Sequence, residues 1–94
     1  MALARVVTFE GVGRDRIEEL RQQVEGGEQP EGMNSTELIV LHDPETNSSL
    51  TIVFFDNEED YASGDAVLDA MPREDTPGER TSVKKYDVAI RMTT

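Results

Sequence analysis

The sequence predicts a single α+β domain, residues 1–94, with the element order β-α-β-β-α-β. The chain of 94 residues has the size of one domain. Four of its segments are rich in β-branched and aromatic residues, as strands are. Two further segments repeat apolar residues at helical spacing, and each of them stands between two predicted strands.

The first strand and the first helix follow each other directly. Leu3–Glu10 is the predicted strand, and Gly11–Gly13 is a turn. Arg14–Glu25 is the predicted helix, and Gly26 and Gly27 end it. Because strand side chains alternate between two faces, one face of the strand carries Leu3, Arg5, Val7 and Phe9. The apolar stripe of the helix is narrow and consists of Ile17, Leu20 and Val24.

The middle of the chain predicts a hairpin. Thr36–His42 is its first strand, and Leu50–Phe55, which is almost wholly apolar, is its second strand. Residues 43–49 connect the two strands, and Pro44 suits the second position of a turn. The connection is short, so we expect the two strands to pair with each other.

The second helix and the last strand complete the order. The acidic segment 56–60 begins the helix, because Asp56 or Asn57 can cap it and acidic side chains favour the positive end of a helix dipole. Pro72 ends the helix. Thr81–Thr93 is the last predicted strand, with an apolar side formed by Tyr86, Val88, Ile90 and Met92.

This order is that of the ferredoxin-like, split-βαβ arrangement, an antiparallel four-stranded sheet with two helices on one face. In that topology the first and third strands lie at the centre, and these strands hold the most continuous apolar runs of the sequence. Two helices cover only one face of such a sheet, so the apolar residues of the other face need another cover. We therefore predict a homodimer formed through the sheet face.

The charge of the chain limits its partners. Its 20 acidic and 9 basic residues give a formal net charge of -11. This charge repels nucleic acid and an anionic membrane surface, so neither is an expected partner. No apolar run approaches the roughly 20 residues that span a bilayer, and the first ten residues lack the apolar stretch of a signal peptide. A cytoplasmic location is the expectation.

Three segments resemble the dimeric α/β-barrel superfamily that includes proteins similar to antibiotic-biosynthesis monooxygenases. They are ARVVTFEG at 4–11, ELIVLHDPETNSSLTIVFFDNEEDY at 37–61 and SVKKYDVAIRM at 82–92. The resemblance implies two sheets that face each other in a dimer, and a small-molecule cleft between helices and sheet. It also implies an activity like that of the cofactor-independent monooxygenases, whose clefts are lined by Tyr, Asn, Arg and often Trp.

The same resemblance argues against a cofactor. The haem-degrading members use an Asn, a Trp and a His, whereas this chain has no Trp and its only His is His42. The chain also has no Cys, so it lacks the usual ligand set of a structural zinc site. We expect no haem, no metal and no other cofactor.

Three residues are candidates for catalysis. His42 is the only side chain whose ordinary pKa lies near neutrality, and it could act as a general base paired with Asp43 or Asp87. The alternative is a histidine at a strand end that faces solvent. Tyr61 and Tyr86 could orient a phenolic substrate, or their rings could fill the core and a sheet face.

Two arginines are candidates for ligand binding. Arg5 lies on a predicted central strand, where a buried charge is costly unless it is paired. It could bind an anionic ligand or pair with one of the many acidic residues. Arg91, on the last predicted strand, carries the same two alternatives.

The sequence thus leaves two functional hypotheses. The first is a dimeric protein with a small-molecule cleft and a monooxygenase-like activity, as the resemblance implies. The second is a non-enzymatic module that binds a ligand or another protein. Because one fold hosts many functions, the sequence does not decide between them.

Overall fold

The computed structural model describes residues 2–27, 32–71 and 77–93, and it confirms the predicted ferredoxin-like α+β fold. The sheet is antiparallel throughout, with the strand order β2-β3-β1-β4, so the first and third strands are central as predicted. The elements are β1 Leu3–Glu10, α1 Arg14–Gly26, β2 Glu37–Asp43, β3 Ser48–Phe55, α2 Glu58–Asp69 and β4 Glu79–Asp87.

The side of the sheet that faces the helices holds the core. At one end, Leu3 of β1 and Phe55 of β3 are paired neighbours, and both pack against Tyr61 of α2. The rings of Phe55 and Tyr61 meet edge to face, with centroids 5.5 Å apart. At the other end, a second buried cluster packs against Ile17 of α1 and consists of Val7, Phe9 and Val12. The face of β1 that carries Leu3, Arg5, Val7 and Phe9 is therefore the one turned towards the helices.

The two helices are held to this core differently. Asn57 caps α2, because its side-chain oxygen accepts a hydrogen bond of 2.8 Å from the backbone N–H of Asp60. In contrast, Gly13, the residue before α1, gives that helix no side-chain cap, and none of the residues of α1 is buried. The second helix is thus packed into the core, whereas the first lies more loosely over the sheet.

The last strand is shorter than the sequence predicted. It ends at Asp87 instead of Thr93, because Asp87 pairs with Leu3, the first residue of β1, and further residues would find no partner on that strand. One further hydrogen bond joins the Val88 N–H to the Ala2 carbonyl at 2.9 Å. The predicted helix end at Pro72 lies outside the described residues.

The chain after β4 crosses the sheet on the side away from the helices. Arg91 forms an ion pair with Glu37 of β2, and its guanidinium carbon lies 4.8 Å from the centroid of the Phe54 ring. Beyond this crossing, an apolar patch on the same side stays partly or largely exposed; we call it the open face. Its residues are Val6, Ile39, Leu41, Leu50 and Ile52.

We expect Gly64→Ala to lower the free energy of unfolding by about 1–3 kcal/mol, the usual cost of overpacking a core. A Cβ atom at Gly64 would lie 2.4 Å from two carbons of the Phe55 ring, and Phe55 is fully buried. Urea denaturation followed by circular dichroism measures the change. The control is Gly26→Ala, where a Cβ meets nothing within 4 Å. Equal stability of the two variants would contradict the packing of α2 described here.

Candidate ligand-binding cleft

A cleft of about 180 Å³ lies between the two helices and the sheet. We call it the helix-side cleft. Its lining comes from both helices, from all four strands and from residues next to these elements. The apolar residues that line it are Val7, Phe9, Leu20, Val24, Met33, Leu38, Val40, Val53, Leu68, Met71 and Pro77.

Large hydrophobic side chains of the cleft are incompletely covered. Val24 of α1 is 52% exposed, and Leu38, Val40 and Met71 are each more than one third exposed. The cause is the loose position of α1, whose apolar stripe faces β2 without being buried against it. The helix side of the sheet is therefore a filled core over β1 and a partly open groove over β2.

A paired arginine forms the polar end of the cleft. Arg5 is only 3% exposed, and its Nε and Nη2 atoms lie 2.8 Å and 3.1 Å from carboxylate oxygens of Asp65 and Asp69. The two aspartates are four residues apart on α2 and so lie on the same side of that helix. Arg80 reaches the same oxygen of Asp69, at 2.8 Å from its Nη1 atom. Of the two alternatives for Arg5, the structure shows the pairing with acidic residues, and Arg5 and Arg80 also line the cleft.

Two hydroxyl groups on β3 are buried without a hydrogen-bond partner among the described residues. They belong to Ser49 and Thr51, which point to the helix side of the sheet. Thr51 lines the cleft between Val7 of β1 and Val40 of β2, its paired neighbours. An unsatisfied buried hydroxyl costs about 1–3 kcal/mol. The cleft thus carries a polar group that the protein itself leaves unused.

The two tyrosines lie on opposite sides of the sheet. Tyr61 is buried in the core with Phe55, and the Lys85 ammonium lies 4.9 Å from the centroid of its ring. Burial raises the pKa of Tyr61, the Asp65 carboxylate raises it further, and the charges of Arg5 and Lys85 act in the opposite direction. Tyr86 of β4 is half exposed and pairs with Ala4 on the side away from the helices. Neither tyrosine is among the residues that line the cleft.

Lys85 itself is part of a second polar contact beside the core. Its Nζ atom lies 2.5 Å from Oε2 of Glu58, at the start of α2. This hydrogen bond raises the pKa of Lys85. The pair therefore favours the charged amine above the ring of Tyr61 and ties β4 to α2.

His42 contacts the main chain. Its Nε2 atom lies 2.8 Å from the carbonyl oxygen of Val12, so the Nε2–H group donates a hydrogen bond to that oxygen. Asp43, one of its proposed partners, instead accepts a hydrogen bond of 3.0 Å from the backbone N–H of Glu45. Asp87, the other proposed partner, lies at the opposite end of the sheet. It pairs with Leu3 at the start of β1, whereas His42 is level with Phe9, near the end of β1.

The five candidate residues are therefore spread over the molecule. Arg5 is at the cleft, Tyr61 is beside it in the core, and His42 is at a strand end. Tyr86 and Arg91 are on the side away from the helices, where Arg91 is paired with Glu37. Sequence analysis did not identify Thr51 and Arg80. The four-residue spacing of Asp65 and Asp69 could have indicated a basic partner beneath α2, because residues four apart lie on the same side of a helix.

Comparisons with known proteins leave the resemblance untested. No family model, curated protein or solved structure matches the chain. The likeness to the dimeric α/β-barrel superfamily therefore stays a prediction. Within residues 2–27, 32–71 and 77–93, no helix is long and apolar enough to cross a membrane, and no three His, Cys, Asp or Glu side chains are grouped as metal ligands would be.

We expect Thr51→Val to raise the free energy of unfolding by about 1 kcal/mol, because it replaces an unsatisfied buried hydroxyl with a methyl group of the same shape. Thermal and urea denaturation measure the change. The matched control is Thr8→Val on the other side of the sheet, which loses the 3.1 Å hydrogen bond that Ser82 donates to Thr8. A Thr51→Val variant less stable than Thr8→Val would contradict this account of the hydroxyl.

Proposed function

We propose that the protein binds a small, largely apolar molecule in the helix-side cleft. The observation that carries the proposal is the partial exposure of Val24, Leu38, Val40 and Met71, all of which line this one cavity of about 180 Å³. A protein cavity of about 150 Å³ lined by apolar side chains accommodates benzene. The cleft is therefore of the size of a substituted benzene ring or a similar aliphatic molecule.

The arrangement of the cleft supports a small molecule more than a second protein. Its walls come from α1, α2 and the sheet, so an occupant is surrounded on three sides. A site that surrounds its ligand and is mainly apolar, with a few polar groups at fixed places, is typical of small-molecule binding. Covering the exposed apolar surface would supply about 25 cal/mol per Å² to binding.

We propose binding without a chemical step. Among the described residues that line the cleft there is no His, Cys or Tyr. These are common sources of a general base or a nucleophile. The described lining therefore offers none of these residues to the monooxygenase-like activity that the resemblance implies. That activity stays a separate prediction.

We expect toluene to bind to the purified protein and to shift the amide NMR signals of α1 and β2 in a saturable way. Val24→Trp should abolish this binding, because the larger side chain fills the cleft. Leu41→Trp is the matched control, since Leu41 is 51% exposed, as Val24 is at 52%, but lies on the open face.

Two results would contradict the proposal. One is the absence of saturable shifts with toluene in the wild-type protein. The other is an equal loss of binding in Val24→Trp and Leu41→Trp, because the ligand would then not occupy the helix-side cleft.

We also propose that a second copy of the chain covers the open face. Leu41 and Tyr86 are half exposed on this side, and Ile90 and Met92, in the segment that crosses it, are almost fully exposed. Monomeric proteins rarely expose apolar patches larger than a few hundred Å². A two-fold pair, the commonest symmetry of protein oligomers, would bury this patch.

Sedimentation equilibrium at low micromolar concentration is expected to show a dimer for the wild-type protein. Leu41→Glu should shift it to a monomer, because two carboxylates would be placed in the interface. Val24→Glu, a substitution at a similarly exposed position on the helix side, should leave the dimer intact. A well-folded wild-type monomer would refute the dimer and leave the proposal for the cleft unaffected.

A further inference from the structure

We propose that the ligand of the helix-side cleft carries a neutral hydrogen-bond acceptor, such as the carbonyl group of a ketone, an aldehyde or an ester. This inference rests on the proposed function and specifies which apolar molecules the cleft selects. It is drawn from the polar groups that the lining presents and from the charges around them.

Every polar side chain in the described lining can donate a hydrogen bond. These side chains are Arg5, Thr51 and Arg80. A guanidinium group has five N–H donors and no acceptor, and a hydroxyl group can donate as well as accept. No carboxylate, amide or imidazole is among the described lining residues. A ligand group that only donates would thus find a single acceptor, the Thr51 hydroxyl, whereas an acceptor finds donors on three residues.

The donors lie close to one another on the sheet. Arg5 pairs with Val53, and Thr51 is two residues before Val53 on the same face of β3, so Arg5 and Thr51 are diagonal neighbours. Arg5 and Arg80 donate to the same oxygen of Asp69, so their guanidinium groups converge at this end of the cleft. One acceptor on a small ligand can therefore meet more than one of these groups.

The Thr51 hydroxyl has a physical reason to respond to a ligand. It is buried and unpartnered, while the side chain lines the cleft. A rotation of χ1 by about 120° brings the hydroxyl group to the place that the methyl group held and moves the methyl group to the third staggered place. An acceptor in the cleft thus gives the hydroxyl the partner that it lacks in the free protein.

The surrounding charges favour a neutral acceptor over an anion. Asp65 and Asp69 pair with Arg5 and Arg80, so the two positive charges are already matched by two negative ones. The net charge of -11 also opposes the entry of an anion. The aspartates hold the guanidinium groups in place, and the donors that remain can serve an uncharged oxygen.

The test compares four probes of similar size by NMR titration of the full chain: ethylbenzene, acetophenone, benzoate and benzylamine. We expect acetophenone to bind most tightly. We expect Thr51→Val and Arg80→Met each to weaken the binding of acetophenone about tenfold. This is the effect of losing one hydrogen bond worth about 1.4 kcal/mol. In the same two variants the affinity for ethylbenzene should change less than about twofold, because ethylbenzene makes no hydrogen bond.

Arg14→Met is the matched control for the arginine, since Arg14 is exposed at the start of α1 and does not line the cleft. It should leave the affinity for all four probes unchanged. Thr51→Val keeps the shape of the side chain, so a loss of binding that is confined to acetophenone reports on the hydroxyl.

Each other outcome has a distinct meaning. Equal binding of ethylbenzene and acetophenone, unchanged in both variants, overturns the inference and leaves the proposed function in place. If benzoate binds more tightly than acetophenone, the ligand's acceptor is not neutral, and the inference is wrong on that point. If benzylamine binds most tightly, the cleft prefers a donor, and the inference is wrong as a whole. If none of the four probes binds, the proposed function fails, and the inference fails with it.

Discussion

The ion pair between Arg5 and the two aspartates of α2 determines much of the rest of the structure. A charge on a central strand must be paired, because leaving it alone in the core costs several kcal/mol. Asp65 and Asp69 reach Arg5 only if α2 lies directly over β1, and there the helix also packs on Phe55. With α2 held in this place, the area above β2 is left to α1, which buries none of its residues.

Both sides of the sheet are consequently incomplete, for the same reason. Two helices, of 13 and 12 residues, are the only helical cover that the described chain offers to four strands. On one side they leave the helix-side cleft, and on the other Arg91, in the segment after β4, contacts Phe54 and Glu37. A chain of this size buries a limited share of its surface. The two occupants that we propose, a ligand on one side and a second copy on the other, would cover the remainder.

The sequence predicted those features that depend on neighbouring residues. Alternation in β1 placed Arg5 on the buried face, and the cap at Asn57 began α2 where expected. Sequence analysis failed where the structure of a segment depends on a partner that is distant in the sequence. The alternation from Tyr86 to Met92 continues beyond Asp87, but a strand ends where its partner β1 ends, and no local pattern contains that information. Arg80 was missed for a related reason, because the last strand was predicted to begin at Thr81, whereas pairing with β1 extends β4 to Glu79.

Thr51 shows how stability and binding oppose each other at the cleft. A valine at this position would pack well, because the paired residues on the two neighbouring strands are Val7 and Val40. A threonine there places an unsatisfied hydroxyl in the protein, at a cost in the free energy of unfolding. Proteins break such local rules of packing at functional or strained sites. Thr51 and the exposed side chains of α1 line the same cavity, so the ligand that we propose would contact both.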